Sequence, residues 1–174
     1  GLGAPLDLCG IRRRVMNSGA QRLMRGMAVF GCVVACVSCG GGTQTGEEAH
    51  VTTLGTVEVT AELVEIPGEL IDRPMYDYAH VMKYRVLTVH RGGDVGDVIY
   101  VGHYNPLKPR DAVDDARVPE VGGTVKSFRV GDVHRMALEF PIDECFMGGI
   151  IIKYHEEVVS PVYLAVWTNR ARRP

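Results

Sequence analysis

Alternation of apolar and polar residues marks the first strand. In residues 56–66, Val57, Val59, Ala61 and Leu63 alternate with polar residues, the pattern of a strand with one buried face. A Pro-Gly pair follows directly and ends the strand. The sequence therefore predicts that the folded domain begins with a strand, after a linker.

Further strands follow along the chain. Val, Ile, Thr and Tyr, which pack well on a pleated surface, are enriched in five segments: residues 78–90, 97–104, 134–140, 150–155 and 162–169. In the fourth strand His134, Met136 and Leu138 share one face. Gly102 lies inside the third strand, where a glycine predicts a bulge or a sharp bend.

An irregular segment separates the third and fourth strands. Residues 105–132 contain Pro106 and Pro109, which cannot join a central ladder. About six strands with one long irregular insertion after the third predict an all-β fold, a small antiparallel barrel. Closure of the barrel would also remove exposed sheet edges.

The order of strands resembles an OB-fold. Residues 84–93 and 128–138 look like the netrin/TIMP-like version of that barrel, in which a basic-Gly turn follows a strand. The inhibitor activity of that family depends on an N-terminal cysteine framework that this chain lacks, so the resemblance implies the fold alone. Residues 101–110 are also similar to a family of exported bacterial proteins, and this likeness implies no activity.

The N-terminal segment contains an uncharged run preceded by Arg22 and Arg25. The run covers residues 27–39 and is 13 residues long, shorter than the roughly 20 residues that cross a bilayer. It is typical of the apolar region of a signal peptide. Within it, Val-Val-Ala-Cys36 and Cys-Val-Ser-Cys39 resemble the lipobox of bacterial lipoproteins, whose cysteine receives the lipid.

Two lipid-attachment sites stay open. Cys36 has the better preceding residues, whereas Cys39 is followed by a polar, Gly-rich stretch suited to a flexible tether. The predicted organisation is a leader over residues 1–39, a tether over 40–53 and a β-barrel domain over 54–170. The expected location is exported and anchored to a bacterial membrane, in the periplasm or at the cell surface.

Charge and cysteine content narrow the function classes. After residue 38 the chain has 14 basic and 20 acidic residues, a balance that argues against nucleic-acid binding, where cations must neutralise phosphates. Cys145 is the single cysteine of the predicted domain, so no internal disulfide is expected there. Nearby carboxylates argue against a reactive thiolate at this position.

One loop collects candidate binding residues at the end of the third strand. Polar side chains held by a rigid scaffold often carry function, and a cationic pair is suited to an anion such as a carboxylate. Both cations are expected to be exposed. The predicted binding residues are His103, Tyr104, Asn105, Lys108 and Arg110. Aromatic residues of the second strand and the turn before it are typical of stacking platforms, namely Tyr76, Tyr78 and Tyr84.

The motifs of catalysis do not appear in the sequence. No serine lies in a Gly-x-Ser-x-Gly motif, and the histidines lack the close spacing of metal ligands. The sequence thus predicts no catalytic residue, metal or cofactor. It favours a non-catalytic envelope module that is attached to the membrane by its N-terminal lipid and binds a protein or a glycan. The alternative is a metal-dependent or hydrolytic enzyme that uses His103.

Overall fold

A computed structural model describes residues 46–73, 75–154 and 161–174 of the 174-residue chain. Within these residues the fold is all-β, as predicted, with short helices. The helices are α1 (Gly46–Thr53) and α2 (Ile142–Cys145), with a 3₁₀ turn at Arg110–Ala112. The strands are β1 (Val57–Glu65), β2 (Tyr78–Arg91), β3 (Val98–Tyr104), β4 (Gly122–Gly123), β5 (Val133–Glu139), β6 (Gly149–Ile151) and β7 (Tyr163–Arg170).

Five strands close into a barrel. Around the barrel β1 pairs with β2, β2 with β3, β3 with β7, β7 with β5, and β5 with β1. All of these pairs are antiparallel except β3 with β7, which run parallel. The predicted OB-fold-like barrel is confirmed, with its irregular insertion after β3. Two short strands pair in parallel with members of the barrel, β4 with β7 and β6 with β2.

The barrel interior is filled by the residues that alternate inward along each strand. It holds an apolar cluster whose fully buried members include Val59, Leu63, Met82, Val101 and Met136. Burying each such side chain is worth roughly 1.5–3 kcal/mol. The period-two pattern of β1 and β5 therefore marked the interior face correctly.

A second apolar cluster lies on the outer face of β2 and β3. Ala79 and Val81 of β2 and Tyr100 and Tyr104 of β3 pack there against the insertion and against the segment after β5. Ile142 and Phe146, in and just after α2, cover this face. The chain thus fills the outer face of these two strands with its own residues.

Gly102 lies in a regular ladder, so the prediction of a bulge was wrong. It pairs with Val81 on one side and with Leu164 on the other, without a shift of register. A Cβ atom at this position would lie 2.3 Å from Cδ1 of Ile142. Glycine is therefore required because α2 packs directly on the strand backbone, not because the strand bends.

Replacing Gly102 by Ala is expected to lower the free energy of unfolding by roughly 1–3 kcal/mol through overpacking. Ile142→Val removes the clashing methyl group, so the double variant should be more stable than the sum of the two single effects. Urea unfolding of the four proteins measures this coupling. Strictly additive effects would show that Ile142 is not the reason for the glycine.

Helix α1 occupies residues that the sequence places in the tether. It packs on β5 and β7, where Val51 is fully buried and the ring of His50 stacks on that of Trp167 at 4.3 Å. Arg135 also binds Glu48. Residues 46–53 of the predicted flexible tether are therefore helical, because tertiary contacts hold this polar segment against the barrel.

The predicted leader and lipid-attachment sites lie outside the described residues. Cys36, Cys39 and the first part of the tether all belong to residues 1–45. In the part of the chain that the structure describes, no helix has the length and apolar character needed to cross a bilayer.

Candidate functional site

A small open pocket lies between two loops at one end of the barrel. The first loop connects β1 to β2, and the second follows β3 directly. The pocket has a volume of about 180 Å³, and we call it the loop pocket. It is lined by Ile71, Asp72, Arg73, Met75, Tyr76, Asp77, Tyr78, Asn105, Leu107 and Lys108.

Three large apolar side chains of the loop pocket face solvent. Met75 is 100% exposed, Tyr76 is 47% exposed and Leu107 is 49% exposed. Met75 also has a positive φ of 67°, a conformation that a residue other than glycine rarely adopts and that costs of order 1–3 kcal/mol. Exposed apolar residues on such a rim are typical of interaction sites.

Asn105 joins the two loops of the pocket. Its φ of 40° lies in the left-handed region that Asn tolerates better than most residues. Its Nδ2 donates to Asp77 Oδ1 at 2.8 Å, and its Oδ1 accepts a bond from the backbone N–H of Tyr78 at 3.3 Å. This predicted binding residue therefore lines the pocket, but its amide group forms hydrogen bonds that hold the two loops together.

The charges of the loop pocket are unevenly paired. Asp77 accepts a hydrogen bond from Arg117 at 3.0 Å, which compensates its charge. Arg73 and Lys108 are exposed and, among the described residues, their side chains form no ion pair. Asp72 is the remaining acid. Lys108 is thus exposed on the loop after β3, as the sequence predicted.

Arg110 is buried, so the expectation that it is exposed was wrong. The side chain is 1% exposed. Its guanidinium donates to the backbone oxygens of Tyr104 at 2.7 Å, Asn105 at 2.6 Å and Lys108 at 2.9 Å. It thereby ties the loop to the end of β3 and does not line the pocket.

Among the described residues, no carboxylate compensates the charge of Arg110. Besides the three carbonyl dipoles, Cζ lies 5.3 Å from the ring centroid of Phe128, in a cation–π contact. Burial lowers the pKa of Arg110 to about 10, so the side chain stays charged at neutral pH.

His103 and Tyr104 are also buried, on opposite faces of β3. Tyr104 packs in the outer cluster and donates from its hydroxyl to Asp115 Oδ2 at 2.6 Å. Burial, and then this acidic acceptor, raises the pKa of Tyr104. His103 points into the barrel and is 0% exposed. Neither side chain lines the loop pocket.

His103 belongs to a buried polar group inside the barrel. We define the interior cluster as Tyr84, His103, Arg110, Phe128 and His134. The Tyr84 hydroxyl lies 2.9 Å from Nε2 of His103 and 3.2 Å from Nδ1 of His134. The rings of both histidines contact Phe128, with centroids 4.4 and 5.5 Å away.

Both histidines of the interior cluster are neutral at neutral pH. Burial, reinforced by the charge of Arg110, lowers the pKa of His103 well below its usual value. Burial also lowers the pKa of His134 to about 4, although Asp132 opposes the shift. With both imidazoles neutral, the Tyr84 hydroxyl can donate to one of them and accept from the other. Nδ1 of His103 and Nε2 of His134, the two far nitrogens, have no hydrogen-bond partner among the described atoms.

The other histidines are spread over separate places. His80 is buried and donates from Nε2 to the Pro67 carbonyl at 3.1 Å, and His90 contacts the Thr60 hydroxyl at 2.8 Å. His155 lies outside the described residues. Within the described ranges, no three His, Cys, Asp or Glu side chains lie close enough together to hold a metal ion.

Sequence reasoning located one side of the loop pocket and missed the other. Asn105 and Lys108 were predicted, and Tyr76 and Tyr78 were noted as aromatic candidates. The missed residues are Ile71, Asp72, Arg73, Met75, Asp77 and Leu107. The turn before β2, with Asp72, Arg73 and Met75, has no sequence feature that marks it as part of a site. It comes close to residues 105–108 only because β2 pairs with β3.

Tyr84 does not serve as a stacking platform. It is fully buried in the barrel, whereas Tyr76 and Tyr78 stack on each other at the pocket with centroids 5.7 Å apart. The outer face of the second and third strands, which OB-folds use for oligonucleotides and oligosaccharides, is covered here by Ile142 and Phe146. The loop pocket at the barrel end is open to solvent, whereas this strand face is not.

Fold and site together define an all-β, OB-fold-like barrel with a small pocket on its loops. Comparison of the chain with protein-family models, with curated proteins and with solved structures finds no match. The functional conclusion therefore depends on the geometry of the site.

Proposed function

We propose that this protein is a non-catalytic binding module of the bacterial envelope whose partner docks at the loop pocket. The observation that supports this best is the grouping of Met75, Tyr76 and Leu107, three exposed large apolar side chains on one pocket. Aromatic and Met side chains are enriched in the cores of protein interfaces. The rigid barrel holds both loops, so little entropy is lost when a partner docks.

The placement of His103 favours this proposal over the enzymatic alternative. That alternative needs His103 within reach of a substrate. The side chain instead points into the barrel, is fully buried and contacts Tyr84 and Phe128. The groups that line the loop pocket supply a mixed apolar and charged surface, which suits binding.

Leu107→Asp is expected to abolish capture of the partner, because a carboxylate would have to be desolvated in the centre of an apolar contact. The exposed fraction of Leu107 predicts a change of stability within about 0.5 kcal/mol. The measurement is a pull-down from detergent-solubilised envelope with the tagged chain. Val130→Asp is the matched control, because Val130 is exposed but does not line the pocket. Equal capture of the partner by the two variants would show that the partner does not dock at the loop pocket.

We also propose that the module is attached to the membrane by a lipid on Cys39 or Cys36. Support comes from the uncharged run, the small residues before each cysteine and the Gly-rich stretch that follows. Metabolic labelling with a radioactive fatty acid should mark the protein, and replacing both cysteines by Ser should release it from membranes. The single Ser variants identify the site. An unlabelled protein found in the cytosol would contradict the anchor.

A further inference from the structure

The size of the loop pocket limits what can occupy it. Pockets that enclose a whole small-molecule ligand measure roughly 300–1,000 Å³, whereas this one measures about 180 Å³ and is open to solvent. A pocket of this size accommodates one side chain of a larger partner. Such a single anchor in a pocket is the usual centre of a protein interface.

The lining residues determine the character of that anchor. Met75, Tyr76 and Leu107 provide apolar contact, and one face of the Tyr76 ring is already stacked on Tyr78. Met is flexible and polarisable, so it adapts to anchors of different shape. A large apolar or aromatic side chain fits this surface better than a polar one.

The charges at the rim determine what flanks the anchor. Arg73 and Lys108 are exposed, and no ion pair within the described chain uses them. By contrast, Arg85, Arg117 and Arg135 bind carboxylates of their own chain. Asp77 is compensated by Arg117. Asp115, on which the charge of Lys108 also acts, already accepts hydrogen bonds from the Tyr104 hydroxyl and from the backbone N–H groups of Arg117 and Val118. Among the described lining residues, this leaves Asp72 as the uncompensated acid beside the exposed cations Arg73 and Lys108. The rim is therefore complementary to negative charge, in a domain that is acidic as a whole.

We infer that the partner is a protein that presents an acidic segment with one large apolar side chain. The apolar side chain enters the loop pocket, and the carboxylates beside it face Arg73 and Lys108. This inference depends on the proposed function, because it specifies the partner of the same pocket. Three apolar residues around one small cavity favour a peptide over an acidic glycan, whose rings need polar groups to orient them.

The test is selection of a displayed library of random 12-residue peptides on the purified full chain. We expect the enriched peptides to carry Asp or Glu around one Leu, Met, Phe, Trp or Tyr. Their Kd should rise about tenfold or more for the double variant Arg73→Glu/Lys108→Glu, since reversed rim charges repel the segment. The matched control is Arg129→Glu/Arg172→Glu, two exposed cations away from the pocket, and it should keep the wild-type Kd.

The outcomes separate this inference from the proposed function. If the enriched peptides carry no excess of Asp or Glu, or if both double variants raise the Kd equally, the partner does not present an acidic segment. The pocket would still be a binding site. If the chain binds acidic glycans on an array and Leu107→Asp abolishes that binding, the partner is a glycan and not a protein. The proposed binding function of the pocket would still be supported. Absence of any ligand that depends on Leu107 would overturn both. If the charge-reversed variant fails to fold by circular dichroism, Arg73→Gln/Lys108→Gln replaces it, with a smaller expected increase of Kd.

Discussion

Replacing Arg110 by Met is expected to lower the free energy of unfolding by about 3 kcal/mol, although the sequence alone predicts an exposed residue at this position. The substitution removes three hydrogen bonds from a charged donor to the backbone oxygens of Tyr104, Asn105 and Lys108. Hydrogen bonds to charged groups contribute about 1.5–3 kcal/mol each, and part of their loss is offset because the substitution also removes the cost of burying the guanidinium charge. Met keeps most of the packing against Phe128.

Lys108→Met is the matched control, on the same loop and with the same new residue. The Lys108 side chain is exposed and forms no ion pair or hydrogen bond among the described residues, so its replacement should change stability by less than about 0.5 kcal/mol. Urea unfolding followed by the fluorescence of Trp167, the single tryptophan, measures both. Arg110→Lys should also be destabilised, because a compact ammonium cannot span three carbonyls. Equal stability of the Arg110 and Lys108 variants would contradict the buried role of Arg110.

Acid is expected to destabilise the fold through His134. The pKa of this residue is lowered to about 4 in the folded state, whereas an unfolded His titrates near 6.5. The unfolded state therefore binds the proton first as pH falls. The stabilising contribution is complete above pH 6.5 and is lost between about pH 6.5 and pH 4. At 1.36 kcal/mol per pKa unit this loss amounts to roughly 3 kcal/mol.

His134→Gln isolates this contribution. Gln does not titrate, so the fall in unfolding free energy between pH 6.5 and pH 4 should be about 3 kcal/mol smaller than in the wild type. Glu62 and Asp115 have lowered pKa values, so their effects fall at lower pH and are common to both proteins. Urea unfolding followed by circular dichroism at several pH values gives the difference. Parallel pH curves would contradict a buried, neutral His134.

The strands could be predicted from the sequence because their signal is local. In β1 and β5 apolar residues recur at every second position, and the same residues fill the barrel interior. The long stretch with Pro106 and Pro109 likewise predicted the insertion after β3. Helix α1 has no apolar stripe, and only its contacts with Trp167 and Arg135 explain it. Such contacts join residues more than 80 positions apart and leave no local pattern.

The site could be predicted only in part, because burial of a polar residue depends on partners elsewhere in the chain. Lys108 and Arg110 look alike in sequence, two residues apart on one loop. Three backbone oxygens and Phe128 surround Arg110, whereas Lys108 faces solvent. For the same reason His103 was assigned to a surface, although alternation from Val101 already placed it on the inward face of β3.

The central claim is that the partner contacts the loop pocket, and site-specific photo-crosslinking tests it most directly. A photoreactive phenylalanine analogue replaces Tyr76 at the pocket or Val130 outside it, in otherwise unchanged full-length chains within cells. Both positions are exposed, so the analogue should not perturb folding. The account predicts a crosslinked adduct from position 76, absent from position 130 and lost when Leu107→Asp is added. An adduct from position 130 alone, or one from position 76 that persists with Leu107→Asp, would contradict it.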